Sequence, residues 1–128
     1  MKPDLEILPG RFAIAKVRDF DGVRFTPFTF LARTDAEWSV VCREEEAPEN
    51  ALAKETGFGM LRIPGSLDFS LTGILAGISD VLARAEIGIF AASTFDTDYI
   101  LLKEGQMRAA AWALEQEGYV VRRVETQA

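Results

Sequence analysis

The chain has 128 residues, 48% hydrophobic and 27% charged, with 14 Lys and Arg against 20 Asp and Glu for a net charge of −6. A chain of this size and balance buries one core of its own and needs neither a disulfide nor a structural metal to do so. Cys42 is the single cysteine and there is no histidine, so intrachain disulfides, cysteine-cluster zinc sites and Ser-His-Asp or Cys-His catalytic sets are excluded by inventory.

In chain order, Leu5 to Leu8 and Phe12 to Val17 read as strand runs, with Pro9-Gly10 as a turn between them. Phe28 to Leu31 and Trp38 to Cys42 read the same way, and no long helix is expected in this half. Cys42 falls in an apolar strand pattern and is expected to behave as a small buried hydrophobe. The acidic stretch Glu44-Glu45-Glu46-Ala47-Pro48-Glu49-Asn50 reads as a solvated connector, with room for one helical turn after Pro48. Gly57-Phe58-Gly59 lacks the third glycine of a dinucleotide loop and reads as a turn before a strand at Phe58 to Ile63.

The second half is more strongly patterned. Ile74, Leu75, Ile78, Val81, Leu82 and Ala85 recur at helical spacing, with Ser79, Asp80 and Arg84 opposite. Ile87 to Ala92 and Asp98 to Leu102 are β-branched or aromatic runs joined by the polar segment Ser93 to Thr97. Met107, Ala110, Ala111 and Leu114 form a second helical stripe that stops at Gly118, where a left-handed cap wants a residue without Cβ. Tyr119 to Val124 closes the order β-α-β-β-α-β, which predicts an α+β, ferredoxin-like unit with both helices on one face of an antiparallel sheet.

Sliding the chain by 61 residues lays Thr34-Asp35-Ala36-Glu37-Trp38-Ser39-Val40-Val41 on Phe95-Asp96-Thr97-Asp98-Tyr99-Ile100-Leu101-Leu102. Each is a polar turn, an acid, an aromatic residue and a strand, a pattern that two related halves would share and that strand starts also commonly show. Their boundaries are drawn at 1–63 and 64–128.

Three segments then carry a family resemblance: Leu71-Thr72-Gly73-Ile74-Leu75-Ala76, Ala85-Glu86-Ile87-Gly88-Ile89-Phe90, and Ser93-Thr94-Phe95-Asp96-Thr97-Asp98-Tyr99-Ile100-Leu101. Together with Leu8-Pro9-Gly10-Arg11-Phe12 and the Thr34 to Val41 run, they resemble proteins built from two tandem ACT units, related to aspartate kinase regulatory domains and to the CASTOR arginine sensors. The resemblance implies a non-enzymatic regulatory protein that binds a small molecule, an amino acid, and passes the event to a partner protein by changing an interface between ACT units. It implies no cofactor. Transferred by motif position, the ligand-binding residues are Leu71, Thr72, Gly73, Thr94, Phe95 and Asp98. Leu71 stands where the arginine-binding relatives carry an acid, which points to a neutral or small amino acid instead.

The residues themselves allow that chemistry. Gly73 opens a helix, where unpaired N–H groups and the positive dipole end attract a carboxylate, and Asp98 can hold an ammonium. Each also has a structural role open to it: Thr72 as the helix cap, Asp98 in the turn or facing water, Phe95 as a packing residue. The alternative function is an interaction module that keeps the fold without a ligand pocket. A homodimer is expected because exposed strand edges invite pairing. With no basic stripe beyond Arg122-Arg123, no apolar membrane span and no apolar signal core after Met1-Lys2-Pro3-Asp4, neither nucleic acid nor membrane is an expected partner, and a cytoplasmic location is expected.

Overall fold

The computed structural model describes residues 2–65 and 73–125. Its elements in chain order are β1 (Leu5–Val17), β2 (Phe30–Arg33), β3 (Trp38–Arg43), β4 (Ala53–Arg62), α1 (Ile74–Arg84), β5 (Phe90–Ser93), β6 (Asp98–Lys103), α2 (Met107–Gln116) and β7 (Val121–Arg123). Single 3₁₀ turns lie at Glu44–Glu46 and Glu104–Gln106. From β4 to β7 this is the predicted β-α-β-β-α-β order. Two compact units are formed, one by residues 1–9 with 59–128 and one by residues 10–58.

In the first unit the strands run β7-β1-β4-β6-β5. β5 pairs antiparallel with β6 from Phe90↔Leu101 to Ser93↔Asp98, and β7 lies parallel to β1 with Leu5 opposite Val121. Both helices press one stripe onto this sheet: Ile78, Val81 and Leu82 of α1, with Met107, Ala110 and Leu114 of α2. They share a core with Leu5, Ile7, Leu61, Ile63, Ile100 and Leu102, each large side chain contributing at most roughly 1.5–3 kcal/mol of burial. Because strand side chains alternate, Glu6, Arg62 and Tyr99 project from the opposite, helix-free face.

The second unit has no α-helix. β3 is flanked by β1, in register from Phe12↔Arg43 to Val17↔Trp38, and by β2, from Phe30↔Val41 to Arg33↔Trp38. Ala15, Val17, Val23, Val40 and Cys42 make its core, and the Phe20 and Trp38 rings meet at 4.9 Å.

Several expectations need correction. The Pro9-Gly10 turn does not reverse the chain: β1 continues through it, with Gly10 at φ +91°, a value open to glycine at no steric cost, so the strand does not end there. The acidic stretch had room for a helical turn after Pro48, but the turn it forms is a 3₁₀ turn ahead of that proline, at Glu44–Glu46. Two of these glutamates are tied down rather than solvated. Glu44 Oε2 accepts the Gly57 N–H at 2.9 Å, and Glu46 Oε1 accepts the Thr26 hydroxyl at 2.5 Å. Gly57-Phe58-Gly59 lies inside β4 rather than before it. β5 begins at Phe90 instead of Ile87 because the Ile87 amide is bonded to Leu82 at the end of α1 and cannot enter a ladder.

Candidate functional site

The β5–β6 hairpin closes on a turn that brings three of the sequence-identified residues together. Thr94 N–H donates to the Thr97 carbonyl at 2.8 Å, while Thr94 Oγ1 donates to that carbonyl at 3.2 Å and accepts the Thr97 N–H at 3.4 Å. The Ser93 hydroxyl donates to the Asp98 carboxylate. Phe95 is 86% exposed at the tip, so it is not a core-packing residue. The turn is anchored to the end of β4: the buried Thr97 hydroxyl donates to the Ile63 carbonyl at 2.6 Å, and the Ile63 amide to the Asp98 carbonyl at 3.2 Å.

The same turn recurs between β2 and β3. Thr34 N–H donates to the Glu37 carbonyl at 2.9 Å, and Thr34 Oγ1 accepts the Glu37 N–H at 3.1 Å. Thr34 therefore corresponds to Thr94, a shift of 60 residues rather than the 61 read from the sequence. The glutamates that open the two 3₁₀ turns follow the same shift. Glu44 bonds Gly57, and Glu104 lies where a Cβ on Gly59 would approach its Oε2 to 2.7 Å.

Gly73 stands on a different element, as the N-terminal cap of α1, with φ +83° and no side-chain cap bond. Its carbonyl accepts the Gly77 N–H at 2.8 Å. Open space surrounds the position where a Cβ would sit. Leu71 and Thr72 lie outside the described residues.

Sequence reasoning missed the groove beside this turn. It has a volume of about 370 Å³, opens to solvent, and is lined by Glu6 of β1, Arg62 of β4, Pro64, Gly65, Asp96 of the turn and Tyr99 of β6. Arg62 Nε donates to Glu6 Oε1 at 2.9 Å. Glu6 Oε2 also lies 3.8 Å from Arg122 Nη2. The available signal was the alternation in Leu5-Glu6-Ile7 and Leu61-Arg62-Ile63, which puts an acid and a base on non-core faces.

Among the described residues, no three His, Cys, Asp or Glu side chains gather to hold a metal. No described helix is long and apolar enough to cross a membrane.

Residues 54–116 match the family model of the ACT domain, a span from β4 to the last turn of α2. The fold is an ACT fold. Three solved structures are similar to the chain. One is a protein from Agobacterium tumefaciens, 26% identical at a TM-score of 0.89, covering 100% of this chain and 98% of that one. A protein of unknown function from Vibrio cholerae is 18% identical at 0.72, with coverage of 89% and 88%. The regulatory subunit of aspartate kinase from Thermus thermophilus, in its ligand-free form, is 11% identical at 0.56, with coverage of 85% and 93%. No curated protein matches the sequence.

Proposed function

We propose that this chain is a non-enzymatic regulatory protein of the cytoplasm that binds an amino acid and passes the event to a partner protein through an interface between ACT units. The observation that carries the reading is the ACT match over 54–116, within which Thr94, Phe95 and Asp98 share one exposed turn beside a polar groove. In this reading the ligand end of the unit comprises that turn and Gly73 at the start of α1. The recurrence of the threonine turn and of the following glutamate at a shift of 60 supports reading residues 1–63 and 64–128 as two ACT-type repeats.

A screen of melting temperature against the twenty amino acids tests the function, since a ligand that binds only the folded state raises the melting temperature by mass action. One or a few amino acids should stabilise the protein in a saturable way. A flat response to all twenty removes the amino-acid reading and leaves the interaction module.

The assembly proposed is a homodimer. β5 ends the strand order of its unit, with Phe90 38% exposed on it, and an edge of this kind is a template for a second chain. Light scattering on the eluting protein should give twice the 14.1 kDa chain mass. A monomer at micromolar concentration contradicts it.

A further inference from the structure

Resting on the amino-acid reading above, we propose that Thr97 is the positioning residue of the ligand turn: by bonding the Ile63 carbonyl it holds Thr94, Phe95 and Asp98 in the geometry that receives the ligand. Thr97 is the one buried polar side chain among the described residues, 7% exposed, in a turn where Thr94, Phe95 and Asp96 are all exposed. A hydroxyl taken out of water costs free energy unless it is bonded, and valine has the same shape without that cost. Here the hydroxyl is bonded, at 2.6 Å to the carbonyl of Ile63, the residue after the last of β4. The Ile63 amide donates to the Asp98 carbonyl at 3.2 Å. Two residues of the turn are thus tied to one core residue, itself 1% exposed.

The turn does not need this anchor in order to form. Between β2 and β3 the same threonine bonds are made, with Thr34 N–H on the Glu37 carbonyl at 2.9 Å and the Glu37 N–H on Thr34 Oγ1 at 3.1 Å. At the place of Thr97 that turn has Glu37, an exposed residue whose carboxylate accepts the nearby Ser39 hydroxyl at 2.6 Å. The same turn is therefore built twice, once without a buried hydroxyl and once with it. The anchored copy is the one that carries Phe95 and Asp98, where the other has Asp35 and Trp38.

The anchor consequently sets where the turn sits rather than whether it folds. Hairpin ends open more readily than the strands behind them, and a ligand held by a loose turn loses affinity to the ordering of that turn. A bond from the turn to the next strand of the sheet removes part of this cost before the ligand arrives.

The test is calorimetric titration of the full chain with whichever of the twenty amino acids raises the parent's melting temperature most. Thr97→Val removes the hydroxyl and keeps the shape, and should weaken binding about 3- to 10-fold, the share of one neutral hydrogen bond. Thr97→Ser restores the donor and should bind more tightly than Thr97→Val. Ile7→Val, a core deletion on β1 of the same unit, controls for stability: it should lower the melting temperature and leave the affinity unchanged. If Thr97→Val does not fold, Thr97→Ala set against Thr97→Ser makes the same comparison. Parent affinity in the variants that lack the hydroxyl, or an equal loss in Ile7→Val, overturns the positioning role and leaves the amino-acid reading standing. Absence of binding to the parent overturns both.

Discussion

The amide of Ile87 donates to the carbonyl of Leu82 at 2.9 Å, closing α1 with the same bond that Tyr119 makes to Leu114 at 3.1 Å beyond α2. The inner bonds are present too, Glu86 to Ala83 at 2.9 Å and Gly118 to Glu115 at 3.0 Å. Both helices therefore end in a Schellman motif, which needs a left-handed residue between them and the next segment. Gly118 fills that place at φ +93°, but Glu86 fills it at φ +61°.

A side chain in this region costs about 1–2 kcal/mol, while glycine's extra freedom in the unfolded chain takes back about 0.5–1 kcal/mol. Glu86→Gly should thus stabilise the protein by up to about 1 kcal/mol, and Gly118→Ala should destabilise it by about 1 kcal/mol. Urea denaturation of the two variants measures both. A loss of stability in Glu86→Gly would contradict strain at that cap.

Gly77 makes the opposite trade. In a helix interior, glycine is about 1 kcal/mol worse than alanine, yet a Cβ here would stand 2.9 Å from Tyr119 Oη. Tyr119 is buried, with the Lys2 ammonium 5.4 Å from its ring centroid, so the ring does not yield freely. Gly77→Ala should therefore gain nothing or lose stability, whereas the same change in a Tyr119→Phe background should recover much of that roughly 1 kcal/mol. The coupling in a double-mutant cycle reads the contact directly. Additive effects would mean the hydroxyl does not limit the position.

What the sequence made legible follows from how local each signal is. α1 and α2 could be read because their apolar stripes are dense, and β6 because Tyr99 to Leu102 is an unbroken apolar run. Gly118 marked the end of α2 since its conformation is a local need. β1 was cut in two because Pro9-Gly10 has the composition of a turn, and it is pairing with neighbouring strands remote in sequence that keeps it a strand. The parallel docking of β7 on β1 has no local signature at all.

The candidate site divides along the same line. Thr94, Phe95 and Asp98 lie within one short segment of chain, so the motif resemblance over that segment picked them out together. Glu6 and Arg62 are 56 residues apart, and their alternation became a site only once β1 lay beside β4. The sequence alignment at a shift of 61 matched aromatic residues, whereas the hydrogen bonds of the two turns align Thr34 with Thr94 at a shift of 60.

The thiol of Cys42 gives a prediction in pH. The residue is 1% exposed in β3. Burial chiefly, and then the carboxylates of Glu46 and Glu45, push its pKa from 9.0 up to about 11, with Lys54 acting the other way. A folded pKa above the unfolded one means that the unfolded chain loses its proton first. The contribution of Cys42 to stability is thus complete below pH 9 and is lost as pH rises toward and through about 11. Lysines and tyrosines titrate in the same range, so the measurement is the difference between wild type and Cys42→Val, which keeps an apolar side chain of similar size and removes the titration. That difference should fall steadily between the two values, and a difference independent of pH would show that the thiol ionises alike in both states. The same burial predicts that a thiol-reactive disulfide labels the native protein far more slowly than the urea-unfolded one at about pH 8, because both access and thiolate are scarce; equal rates would place Cys42 at the surface.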